Sequence, residues 1–206
     1  MGCGKSSVGR ELAELLSLPF VDLDGYVESR EGRSVREIFA GGGEEAFRKM
    51  ELDALQDILF HGDGAADSDM AGRTDGGDGR NMVLALGGGT LTTPECAELV
   101  AEHTFCIFLK ASAGILFTRL ENGAANRPML NPHAGADSRD SGDVPGSAPG
   151  DIHGSSSETA GLQLRRRIAD LLAQREQLYE RAARLTIVTD NLSVKQAAAA
   201  IAAELW

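Results

Sequence analysis

Gly4, Lys5 and Ser6 match the end of the pattern Gly-x-x-x-x-Gly-Lys-[Ser/Thr] and stand directly before a helical periodicity, with Gly2 adding backbone freedom. In that arrangement N–H groups at the helix start face an anion, the lysine reaches the terminal phosphate of a nucleotide, and the hydroxyl after it ligates magnesium. The run Gly2-Cys3-Gly4-Lys5-Ser6-Ser7 therefore reads as a phosphate cradle; the bland alternative is a glycine-rich tail ahead of an ordinary helix. Asp22 and Asp24 are two carboxylates one residue apart at the end of an apolar run. Such a pair can divide roles, one holding a metal and the other binding or deprotonating a hydroxyl, although Asp-x-Asp is also a common turn or cap. Gly87-Gly88-Gly89 allows close approach to the backbone because no Cβ intervenes, where a plain turn needs fewer glycines. Arg48, Arg127 and Arg175 offer planar forks for carboxylate or phosphate, against the default of a solvated helix-surface arginine. Taken together, these residue types suit transfer of a phosphoryl group from a nucleotide, which needs positioning and charge stabilisation more than covalent chemistry.

Strands alternating with helices must position them. Val8, Leu12, Leu15 and Leu16 fall on one face of a helix over 5–16, which Leu18 and Pro19 end. Phe20-Val21-Asp22-Leu23-Asp24 reads as a short strand delivering both carboxylates to the ligand edge of a sheet. A helical region over 25–40 contains Ser34-x-x-Glu37, the spacing of a capping box, and a longer helix over 44–60 is expected to bury Phe47, Met50, Leu52, Leu55, Ile58 and Leu59. Met82-Val83-Leu84-Ala85-Leu86 suits a strand buried on both faces that opens into the glycine run. Helices over 94–101, 113–120, 164–183 and 193–205 and strands over 104–109 and 186–188 complete an α/β pattern: a parallel sheet covered by helices on both sides, forming a single domain over 1–206. The segments 61–81 and 131–160 are rich in Gly, Asp, Ser or Pro and are expected to be flexible insertions. The motif's first glycine would fall two positions before Met1, and the strand that normally leads into the loop is not in the sequence, so the sheet is expected without its first strand.

A net charge of −11 argues against a nucleic-acid binder and makes the individual arginines matter. Cys3, Cys96 and Cys106 are odd in number and scattered, which disfavours a disulfide framework or structural zinc and suits a reducing, cytoplasmic setting. No apolar run is long enough to cross a bilayer. The four histidines have no ligand spacing. A monomer is the default expectation.

The ordered set of motifs resembles the shikimate kinase family. It comprises Gly4-Lys5-Ser6, then Asp22-Leu23-Asp24, then Gly43-Glu44-Glu45-Ala46-Phe47-Arg48-Lys49-Met50-Glu51, then Leu86-Gly87-Gly88-Gly89, then Arg127-Pro128-Met129-Leu130, then Arg175 followed by Leu178-Tyr179. The resemblance implies a P-loop kinase of the nucleoside-monophosphate-kinase type that uses ATP and Mg2+ to phosphorylate the 3-hydroxyl of shikimate, on the route to chorismate and the aromatic amino acids. It further implies that Asp24, Arg48, Gly87, Gly88, Gly89 and Arg175 bind shikimate, with both arginines on its carboxylate. Lys5 and Arg127 would stabilise the transferring group, Gly2 to Ser7 and Arg127 would hold the nucleotide, Ser6 and Asp22 would hold magnesium, and Arg119 would lie over adenine. The segment after Leu130 is about thirty residues longer than the family's usual lid. Competing expectations are a gluconate or nucleotide kinase of the same fold, or a noncatalytic binding protein descended from a kinase. Arg48 and Arg175 together favour a carboxylated ring over a nucleotide as acceptor.

Overall fold

A computed structural model describes residues 3–61, 81–121 and 155–205. Gly2, Arg127, residues 62–80 and residues 131–154 lie outside that set. Gly4, at φ 86°, precedes α1 (Lys5–Leu16) and turns the chain into the helix; a glycine takes that left-handed conformation without steric cost. α1 buries Val8, Leu12 and Ala13, whereas Leu15, predicted on the same face, is 52% exposed. β1 covers only Phe20–Asp22. The chain then enters α2 (Leu23–Glu31), so Asp24 stands in the first turn of a helix and not on a strand as predicted. The cause is local: the Asp22 side chain accepts from Gly25 N–H and caps the helix one residue after the strand ends.

The predicted helical region over 25–40 divides between α2 and the start of α3 (Val35–Gln56), which runs on into the expected longer helix and is broken inside by Gly43 at φ 72°. Its start carries the expected capping box, with Glu37 Oε2 accepting from Ser34 N–H at 2.8 Å and Ser34 Oγ accepting from Glu37 N–H at 3.3 Å. A π-helical turn over Asp57–His61 follows. β2 (Val83–Ala85) leads through the glycines into a 3-10 turn at Thr90–Thr92 and α4 (Pro94–His103). β3 (Ile107–Lys110), α5 (Ala113–Glu121), α6 (Ser155–Ala182), β4 (Leu185–Val188) and α7 (Val194–Leu205) complete the order. α6 starts at Ser155, inside the predicted 131–160 insertion, so residues 155–160 are helix and not loop.

β1 pairs with β2 in parallel, Val21 opposite Leu84, and β3 pairs with β4 in parallel, Leu109 opposite Ile187. Among the described residues no strand joins the two pairs. The remaining edges of β2 and β3 border a common cavity of about 1580 Å3, lined also by Val8, Leu12 and Leu116. β2, expected to be covered on both faces, buries only Ala85, and all three of its residues border that cavity.

The core is divided in the same way. One cluster joins α1, β3, α5, α6 and α7 around Leu12, Phe117, Ile168 and Ile201. The other joins α2, α3 and α4 around Leu23, Ile38, Leu55 and Val100, each almost fully buried and each worth about 1.5–3 kcal/mol of transfer free energy. All three cysteines are free thiols. No helix among the described residues is long and apolar enough to cross a membrane.

Candidate active site

Three segments converge at the C-terminal ends of β1 and β2: the start of α2, the middle of α3 and the glycine run. On α3, Arg48 and Glu51 are three residues apart and so share a face. Arg48 Nη1 donates to Glu51 Oε2 at 2.6 Å and Nη2 to Glu44 Oε1 at 3.0 Å. Glu51 is completely buried, and its other oxygen accepts from the buried Thr90 hydroxyl at 2.5 Å. Burial works against the charge of Arg48, but Glu51 and Glu44 outweigh it and raise the guanidinium further above its usual range. Nε of Arg48 is buried with no partner among the described residues, leaving one directed donor for a ligand.

Gly87 and Gly89 make this cluster possible by close approach. A Cβ on Gly87 would stand 2.5 Å from Glu51 Oε1 and 2.7 Å from Asp24 Oδ1, and a Cβ on Gly89 would stand 2.5 Å from Arg48 Cζ. Gly89→Ala is therefore expected to push Arg48 off Glu51 and to cost about 1–3 kcal/mol of overpacking, read from the midpoint of urea unfolding. An unchanged midpoint would mean that Arg48 moves aside freely.

Asp24 lies between these carboxylates and α1. Burial first, then the charges of Glu51 and Asp22, raise it from 3.8 to about 6, against a smaller opposing pull from Lys5 and Arg48. The pull from Lys5 places the α1 start and the α3 cluster within one electrostatic neighbourhood. Ser6 Oγ donates to Asp22 Oδ2 across the same gap. From α6, Arg175, only 8% exposed, donates through Nη1 to Gly88 O at 3.0 Å, and the Tyr179 hydroxyl donates to the same oxygen at 2.5 Å. Arg119 on α5 stands apart, donating to Cys3 O at 3.5 Å and to Thr189 O at 3.2 Å.

This assembly sets a helix-start phosphate cradle beside a carboxylate of raised pKa and two inward arginines. A family model described as Shikimate kinase matches residues 1–65 and 75–142. The chain belongs to the shikimate kinase family. A shikimate kinase of Chlorobaculum tepidum is 34% identical over 94% of this chain and 80% of its own length. One of Xylella fastidiosa is 28% identical over 100% of this chain and 87% of its own. Among solved structures, shikimate kinase from Acinetobacter baumannii in complex with shikimate superposes with a TM-score of 0.72 at 25% identity, covering 100% of this chain and 88% of that one. Shikimate kinase from Bacteroides thetaiotaomicron gives 0.70 at 23% identity over 100% and 93%. The fold is thus the P-loop kinase α/β fold of the shikimate kinases.

Within this shikimate kinase fold the structure brings together Lys5, Ser6, Asp22, Asp24, Arg48, Gly87, Gly88, Gly89 and Arg175. Cys3 and Gly4 lead into α1, and Ser7 is exposed on its first turn. Gly2 and Arg127 fall outside the described residues. Glu51, Thr90 and Tyr179 were not singled out from the sequence. Glu51 had a signal: it occupies the stripe Phe47, Glu51, Ala54, Leu55 and Ile58 that α3 and the turn after it bury, so a carboxylate there required a buried cation. The expected stripe placed Met50, Leu52 and Leu59 inside, but they are only half-buried. Thr90 had no comparable signal, since a threonine after a glycine run is an ordinary turn residue.

Proposed function

We propose that this chain transfers the γ-phosphoryl group of ATP to the 3-hydroxyl of shikimate, giving ADP and shikimate 3-phosphate, in a reducing compartment such as the cytoplasm. The observation that carries this reading is Arg48: held by Glu51 and Glu44, with its guanidinium against Gly89 and Nε buried without a partner, it is a fixed cation suited to a planar anion. With Arg175 it grips the shikimate carboxylate, while Gly87, Gly88 and Gly89 line the ring. Asp24 accepts the 3-hydroxyl proton as O3 bonds to the γ-phosphorus and the bond from phosphorus to the leaving ADP oxygen breaks. Lys5 and Arg127 neutralise charge on the moving group. The nucleotide lies along Gly2 to Ser7, with Arg119 over adenine; support for Arg119 is its place between Cys3 O and Thr189 O.

Ser6 and Asp22 supply a hydroxyl and a carboxylate already hydrogen-bonded to each other, a hard-oxygen pair that suits Mg2+, and they would hold it. An ion held there would also meet phosphate oxygens of the nucleotide. When bound, Mg2+ offsets negative charge on those oxygens.

The reading is tested by coupled ADP detection over a panel of shikimate, gluconate and nucleoside monophosphates. Turnover of shikimate alone is expected. Turnover of gluconate or a nucleotide without shikimate would overturn the assignment, and turnover of none would favour a binding protein.

Asp24 predicts two pH dependences. As base it must be ionised, so kcat/KM should rise with pH through about 6, and Asp24→Asn should be slow and lack that limb. Stability runs the other way. A carboxyl whose folded pKa is raised binds its proton more tightly folded than unfolded. Its contribution is fully present below about pH 4 and is lost as pH rises through about 6. Asp24→Asn should therefore be more stable than the parent at pH 7.5, by on the order of 2 kcal/mol. A rate profile flat across pH 5–7 in the parent would remove Asp24 from the base role.

A further inference from the structure

We propose that Tyr179 is a positioning residue that governs how Arg175 engages the carboxylate of the acceptor. This role rests on the proposed function. Its basis is a shared acceptor: Arg175 Nη1 and the Tyr179 hydroxyl both donate to Gly88 O, at 3.0 and 2.5 Å. A carbonyl oxygen has two lone pairs, so the two donors fill it. Residues 175 and 179 are one helical turn apart on α6, which is why both reach the same atom.

Tyr179 is itself fixed from the opposite side. Its ring meets Phe108 of β3 at a centroid distance of 5.3 Å. Lys110, on the same strand, pairs with Glu176 at 2.7 Å and Glu180 at 2.9 Å, bracketing Tyr179 along the helix. The hydroxyl therefore approaches Gly88 from a segment of α6 tied to β3, where it also meets the Arg175 side chain.

A carboxylate arriving at Arg175 competes with Gly88 O for guanidinium N–H groups. With Tyr179 in place the carbonyl keeps a donor when Arg175 turns to the carboxylate, so no acceptor is orphaned and the glycine run stays where Gly89 faces Arg48. Without the hydroxyl, a carboxylate that draws Nη1 away leaves Gly88 O with no donor from α6. The acceptor would pay that cost in affinity, while the chemical step, which occurs at Asp24 and Lys5, would not.

The test compares the parent with Tyr179→Phe, Arg175→Lys, the double variant and Phe108→Leu, measuring KM for shikimate, KM for ATP, kcat and Tm. Tyr179→Phe should raise the shikimate KM about 3- to 10-fold with kcat and the ATP KM within about 2-fold. The double variant should be no worse than Arg175→Lys alone, because both act on one carbonyl. Phe108→Leu, which loosens the ring and keeps the hydroxyl, should raise the shikimate KM by less than Tyr179→Phe does. An unchanged KM in Tyr179→Phe, full additivity with Arg175→Lys, or a rise in KM matched by Phe108→Leu would each overturn the role. If Tyr179→Phe does not fold, a raised shikimate KM with kcat kept in Phe108→Leu, whose ring holds Tyr179, supports the positioning role, and an unchanged one rejects it. A parent that neither binds nor turns over shikimate overturns the proposed function and this role with it, a result distinct from an active parent indifferent to the hydroxyl.

Discussion

Lys5→Ala lowers kcat by about 10²- to 10³-fold, the loss expected when a preorganised charge facing the transferring group is removed. Lys5 is the first residue of α1 and follows the left-handed Gly4, so its ammonium and the helix-start N–H groups address the same region. Its charge also bears on the Asp24 carboxyl and on Tyr179 across the site. Because Lys5 opposes the rise of Asp24, its removal has a second consequence with a definite sign. The acid limb of the rate profile, near pH 6 in the parent, moves to higher pH. Folding should be little affected, within about 0.5 kcal/mol, since the residue is half-exposed at a helix start and alanine is a good helix former. Steady-state turnover from pH 5 to 9 with urea unfolding of the same samples separates these effects. Undiminished kcat would show that the cradle is not the catalytic phosphate site.

Glu51→Ala destabilises the fold by about 3–5 kcal/mol, because it leaves Arg48 desolvated opposite an empty position. Glu51 is completely buried, joined to Arg48 at 2.6 Å and to Thr90 at 2.5 Å, and its charge also contributes, after burial, to raising the Cys96 thiol to about 11. The neutral variant Glu51→Gln keeps a polar partner for Thr90 and should lose less. Both should weaken shikimate binding, since Arg48 then follows the exposed Glu44 instead of facing Gly89. Urea midpoints and the shikimate KM measure the two effects. A Glu51→Ala variant as stable as the parent would mean that water reaches Arg48 and that the pair is not the anchor described.

The elements that could be read from sequence were those with a local cause. The capping box at Ser34 and Glu37, the helix start at Lys5 and the strand opening into Gly87 each depend on neighbours a few residues away, and each is where its pattern placed it. The strand expected over 20–24 rests on apolar residues followed by a carboxylate pair at its C-terminal end, but a cap at Asp22 ends it there and starts a helix. The α6 start was missed for a different reason: Ser155 to Ala160 is poor in large apolar residues, so no periodicity marks it. Residue types named most of the site, but the contacts that organise it cross the fold. Thr90 meets Glu51 over 39 positions and Tyr179 meets Gly88 over 91, and no local spacing encodes either.

The division of the core has a consequence for the reaction. Lys5 rides on the helix that packs with α7, whereas Asp24, Arg48 and Glu51 ride on the cluster built by α2, α3 and α4. On the proposed reaction, the group facing the phosphoryl donor and those facing the hydroxyl acceptor sit on different clusters, which β2 and α6 tie together through Val83, Tyr179 and Ala182. In-line transfer tolerates little misalignment, and a displacement near 1 Å far from the chemistry can cost about 10²-fold in rate. The contacts of Val83, Tyr179 and Ala182 that hold the two clusters in register would therefore bear on turnover even with every side chain of the site intact.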